Sequence, residues 1–160
     1  MPGRNPTEAR EAFLVPLRKG LSCITNAQLY VTGKRTGELE AVALSEDPLK
    51  LRRGAPPSDV FVQLVIGHQF QVVHDTDDWH VSTAQYAYDV LDGDGNELLS
   101  WHWHPATGTA FPHMHIHAPV GPVSHKMHVP TGRVSIESVI KLLVDEFGVV
   151  PLRDDCEDGS

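Results

Sequence analysis

The 160-residue chain is poor in cysteine and in cations and has no long apolar run. Its two cysteines, Cys23 and Cys156, are too few for the disulfide framework of a small secreted domain, and neither belongs to a Cys-x-x-Cys pair. Two reduced thiols are expected. No stretch approaches the roughly 20 apolar residues of a membrane helix, and Met1-Pro2-Gly3-Arg4-Asn5-Pro6 is not the start of a signal peptide. The expectation is a cytoplasmic chain with no membrane partner. The net charge of −8 argues against non-specific binding to nucleic acid, which rests on phosphate neutralisation. The deficit is uneven: residues 1–60 hold nine Lys/Arg against seven Asp/Glu, and residues 61–160 hold four against fourteen. A local basic site is therefore confined to runs such as Lys34-Arg35 and Lys50-Leu51-Arg52-Arg53, which read as solvated surface.

What the chain does have is histidine, ten in all. In Trp101-His102-Trp103-His104 and in His113-Met114-His115-Ile116-His117, histidines alternate with large apolar residues. On extended backbone, alternate residues point to opposite sides, so each segment has one imidazole face and one apolar face. A hairpin around residues 105–110, in the register that sets Trp103 opposite Pro112, also pairs Trp101 with Met114 and His102 with His113. His102, His104, His113, His115 and His117 then gather on one side of the ribbon. Imidazole titrates nearest neutrality, which suits proton transfer, anion binding and metal ligation.

The rest of the chain supplies a scaffold of one domain, residues 1–152, with a long loop at 45–59 and a disordered acidic tail at 153–160. Thr7, early acids and the apolar set Ala12, Phe13, Leu17 and Leu21 predict an N-terminal helix, kinked or ended at Pro16. Leu29–Val31 and Leu39–Leu44 predict a hairpin. Val60–Ile66 and Gln69–Val73 read as two strands separated by Gly67, with a helix over 58–66 as the rival to the first. His80–Val90 and Glu97–His104 are strands joined by Asp92-Gly93-Asp94-Gly95-Asn96, residues that accept the positive φ of a hairpin turn. That turn partly matches a calcium loop but lacks the glycine and glutamate such a loop requires. His125–Pro130 reads as a short edge strand. Ser135 caps a helix whose Ile136, Val139, Ile140, Leu143 and Phe147 recur at helical spacing, and Gly148 ends it. The fold class is α+β: an antiparallel sheet of five to seven strands, packed by the C-terminal helix, with an N-terminal helix.

Two chemistries fit the imidazole face. One needs no metal: His113, His115 and His102 exchange protons across a phosphodiester, His104 and His117 support them, and Arg133 and Lys126 hold phosphate. The other is a metal site for zinc or another divalent transition ion. Neighbouring histidines on a strand lie about 6.8 Å apart at their roots, close enough to share an ion. The outer pair, His113 and His117, is about 13.6 Å apart and too far to do so. Two of that strand's histidines would join His102 or His104, with His125 or His128 in reserve. A third reading is a non-enzymatic interaction domain in which Trp101 and Trp103 bury in the core or in a partner.

The run from His113 to Pro119 resembles the motif of the histidine triad nucleotide hydrolases and transferases, which implies His115 as a nucleophile supported by His113 and His117. Residues 85–147 show a Tyr-x-Tyr strand, an acidic glycine turn, clustered histidines and Arg133-Val134-Ser135-Ile136-Glu137 at a helix start. In this order they are similar to the TumE-type toxins of bacterial toxin–antitoxin pairs. That resemblance implies a cytosolic α+β toxin-type protein, a phosphodiesterase or ribonuclease acting on RNA, with an antitoxin protein as partner. Trp101-His102-Trp103-His104 stands where that family places its aspartate and asparagine.

Overall fold

The computed structural model describes residues 2–33, 35–54, 61–107, 109–117 and 127–156. Among these residues two α-helices, α1 (Pro6–Leu21) and α2 (Ile136–Asp145), accompany eight strands. These are β1 (Leu29–Thr32), β2 (Glu40–Leu44), β3 (Leu49–Arg52), β4 (Phe61–Asp75), β5 (Asp78–Leu91), β6 (Glu97–Trp103), β7 (His113–Ile116) and β8 (Val129–Pro130). They form one antiparallel sheet in the order β1-β2-β4-β5-β6-β7-β8, with β3 also paired to β4. The fold is thus α+β, one strand richer than the sequence suggested.

The long β4–β5 hairpin carries the sheet. Gly67 does not divide β4, because it lies opposite Ala87 inside a ladder that runs from Gln63 to Asp75. The extra strand, β3, comes from the stretch read as a loop: Leu49 and Leu51 are buried and pair with Leu64 and Val62. Residues 55–60 of that stretch lie outside the described residues. A bulge between Gln69 and Phe70 skips Ala84, so Thr83 and His68 come to share a face with Tyr86 and Tyr88.

α1 starts two residues earlier than expected. The Asn5 side chain accepts the Glu8 N–H at 2.9 Å, and Pro6 occupies the first turn, where a missing N–H costs nothing. The helix also continues through Pro16. An internal proline costs about 3 kcal/mol, but burial of Leu14, Leu17 and Leu21 on either side of it offsets that, and Pro16 itself is exposed. α2 follows expectation, with Ser135 accepting the Ser138 N–H and Gly148 at φ 71°.

Both helices cover the apolar side of the sheet, built from Phe70, Val72, Tyr86, Tyr88, Val90 and Trp101. α1 is tied to β2 by a bidentate pair: Arg10 Nε and Nη2 donate to the two Glu40 carboxylate oxygens at 2.8 and 2.9 Å. The reduced-thiol expectation is overturned. Cys23, just past α1, forms a disulfide with Cys156 in a 3-10 turn at Asp154–Cys156. Residues 153–156, assigned by sequence to the tail, are therefore held: the Leu152 N–H donates to the Cys23 carbonyl and Arg153 Nη2 to Ser22 Oγ. No described helix is long and apolar enough to cross a membrane.

Candidate metal centre

The histidines come together through the pairing of β6 with β7, and Asp89 joins them from β5 across a register shift between Val90 and Leu91, next to the turn at Asp92. The Asp92 carboxylate accepts the Asp94 and Asn96 N–H groups at 2.9 Å and the Asn96 side chain at 3.1 Å, and these bonds hold its pKa below the ordinary value. The carboxylate is consumed in building a turn, not a calcium loop. From it β5 and β6 pair so that Asp89 faces Ser100 and Tyr88 faces Trp101; β7 then sets His113 against His102 and His115 against Ser100. Alternation places Asp89, Ser100, His102, His104, His113 and His115 on the side away from the helices.

Three of these rings form a nearly regular triangle. Ring centroids are 5.1 Å apart for His102–His115 and His113–His115, and 5.9 Å for His102–His113. One nitrogen from each lies within 4.8 Å of the others. A tetrahedral ion with metal–nitrogen bonds of about 2.0–2.1 Å needs its ligands roughly 3.3 Å apart, so the rings would have to turn inward to close on it.

Hydrogen bonds decide which nitrogens are left to bind. His102 Nε2 lies 2.8 Å from Asp89 Oδ1, and His113 Nδ1 lies 3.0 Å from the Phe111 carbonyl oxygen. Both oxygens accept only, so both ring nitrogens carry the proton and donate, which leaves lone pairs on His102 Nδ1 and His113 Nε2. A second ring nitrogen fixed by a carboxylate or a carbonyl is the usual support of a metal-bound histidine. His113 is only 3 % exposed, so its orientation is set by packing as well. Beside the triad the Ser100 hydroxyl, fully buried, finds no hydrogen-bond partner among the described residues. A buried hydroxyl in that position suits a water or anion bound at the ion. The donor set of three imidazoles with second-sphere oxygens fits zinc or a similar divalent ion.

The other predicted residues separate from this triad. His104 tilts against His102 at 5.3 Å, and burial, then repulsion from His102 and His113, holds its pKa below the ordinary value. His117 lies at the far end, its Nε2 2.9 Å from Glu97 Oε2. Arg133 is on the opposite side of the sheet, its guanidinium 3.9 Å above the Trp103 ring, so it does not clamp an anion over the histidines. Lys126 and His125 lie outside the described residues. His128, held in reserve by the sequence, is a neighbour: its ring is 4.6 Å from His113 and 4.8 Å from His115. Asp89 and Ser100 were missed. Alternation along β6 puts Ser100 on the imidazole face, but Asp89 joins it only through the register shift between Val90 and Leu91, which counting back from the Asp92 turn does not give.

No family model, curated protein or solved structure matches this chain.

Proposed function

We propose that the protein binds one divalent transition ion, zinc first, through His102, His113 and His115, and that this centre is hydrolytic. The observation that carries the reading is the coincidence of ligand spacing with orientation. One nitrogen from each of three rings falls within 4.8 Å of the others, and two of the rings are oriented by hydrogen bonds to Asp89 and the Phe111 carbonyl. An ion held by three imidazoles keeps a position for water and lowers its pKa towards about 7. Asp89 would orient His102, Ser100 would offer a hydroxyl beside the ion, and His104 and His128 would flank the triad.

Chelator competition on untagged protein tests this. Alanine at His102, His113 or His115 is expected to weaken zinc binding by more than about a hundredfold, with His117→Ala close to wild type. Equal affinities across the set would refute the assignment.

The substrate reading is a phosphodiester, RNA first, as the resemblance to TumE-type toxins implies, with an antitoxin as partner. It is favoured by the run of imidazoles, from His104 through the triad to His128, that an extended polyanion laid across β6 and β7 would meet. Regulated expression of the wild type should arrest growth and degrade RNA, and a His113→Ala/His115→Ala variant should do neither. Intact growth and RNA with folded wild-type protein would remove the toxin reading and leave the metal centre standing.

A further inference from the structure

On the helix side of the sheet the layers do not close. α1 and α2 approach where Gly20 faces Ile140 and Glu137, a contact in which a β-carbon on Gly20 would lie 3.5–3.6 Å from their side chains. Beside this contact lies a cleft of about 430 Å³ over β4 and β5, bounded by α1 and the start of α2. That volume falls within the roughly 300–1,000 Å³ of small-molecule sites.

Its lining is aromatic. Phe13 tilts against His68 at 5.3 Å, and Tyr86 stacks on Tyr88 at 4.8 Å and 9°. The floor makes no polar demand, because His68 is satisfied at both ring nitrogens: Nδ1 lies 2.8 Å from the Tyr88 hydroxyl and Nε2 3.2 Å from Thr83 Oγ1. The bulge in β4–β5 is what brings Thr83 to this face. The Tyr86 hydroxyl is likewise engaged, accepting the Val134 N–H at 3.0 Å.

The mouth is charged, and unevenly. Arg133 lines it with its guanidinium carbon 3.9 Å from the centre of the Trp103 ring, a cation–π contact that positions the group without using its N–H donors. Among the described residues no carboxylate pairs with it. Glu137 also lines the cleft, but its stem leans towards Gly20 on the α1 side, and its charge disfavours a second anionic group.

We infer that this cleft is a binding site for a small aromatic monocarboxylate, its ring against Phe13 and Tyr86 and its carboxylate on Arg133. The site is separate from the histidine face and does not depend on the metal reading.

The probe is 1-naphthoate, with 1-naphthalenemethanol as its uncharged counterpart, titrated against the full chain by calorimetry and followed by tryptophan emission, since Trp103 lies beneath Arg133. The acid is expected to bind at least about tenfold more tightly than the alcohol, the advantage of a charge-assisted contact. Arg133→Gln should abolish that preference; because Arg133 is exposed, the substitution removes its contact with Trp103 but opens no cavity in the core. Ala12→Phe should fill the cleft and lose both ligands, with Phe13→Leu as a milder change that weakens both if the larger ring prevents folding. His113→Ala/His115→Ala should bind the acid as the wild type does. The inference is overturned if the acid binds no better than the alcohol, if Arg133→Gln retains the preference, or if the histidine variant loses binding.

Discussion

Asp89 acts on the candidate centre through another residue. Its carboxylate accepts from His102 Nε2 and so keeps the lone pair on Nδ1. Asn has the same shape but no charge, so Asp89→Asn is expected to lower zinc affinity by about 10–100-fold with little change in the unfolding midpoint of the metal-free protein. A midpoint that falls as far as the affinity would mean that Asp89 holds the sheet rather than the ligand. His68 allows a prediction in pH. Burial pushes its imidazole down from 6.5 to about 4 in the folded chain. Below pH 6.5 the unfolded chain takes up a proton that the folded chain refuses, so the stability from neutral His68 is full above that value and is lost as pH falls towards 4. The full loss is about 3 kcal/mol. Urea midpoints at neutral and acid pH should therefore converge in a His68→Gln variant relative to wild type; an unchanged difference would assign the acid limb to other groups.

Among the elements, the β5–β6–β7 ribbon was readable because short-range signals agree. The Asp92–Asn96 turn marks the hairpin, and the alternation of Trp101 and Trp103 with His102 and His104 permits only one assignment of faces, although nothing in the sequence announces the one-residue shift between Val90 and Leu91 that sets Asp89 against Ser100. The α2 cap and stop were readable for the same reason. Elements held by distant contacts were not. Nothing near Leu49-Lys50-Leu51-Arg52 announces a strand amid prolines, and only pairing with the start of β4 makes it one. Pro16 looks like a helix end until the burial of Leu17 and Leu21 is known. Arg10 and Glu40 stand 30 residues apart with no local signal that joins them, yet the Glu40 side chain is fully buried against the Arg10 guanidinium. Arg10→Ala leaves that carboxylate buried and unpaired and should cost about 3–5 kcal/mol in denaturant unfolding. Arg10→Met with Glu40→Met should recover most of the loss, since the double change leaves no orphaned charge. A double variant no better than Arg10→Ala would show that packing, not charge, is at stake.

At the scale of the molecule, the sheet separates two chemistries, an imidazole face on one side and helices over aromatic rings on the other. A single clasp joins the far ends of the chain on the helix side, where the Cys23–Cys156 disulfide spans 133 residues. A cross-link of that reach is expected to contribute about 2–4 kcal/mol. Cys156→Ser should show that loss in denaturant unfolding under non-reducing conditions while binding zinc as the wild type does, because the clasp and the triad lie on opposite sides of the sheet. Loss of zinc binding in that variant would tie the two sides together.

The account stands on the claim that His102, His113 and His115 hold a metal ion. Elemental analysis of untagged protein, purified in parallel with a His113→Ala/His115→Ala variant and equilibrated with zinc before exhaustive dialysis, tests it most directly. The account predicts about one equivalent of zinc per chain in the wild type and less than about a tenth in the variant. Wild-type protein that retains less than about a tenth of an equivalent, or a variant that retains as much as the wild type, would contradict it.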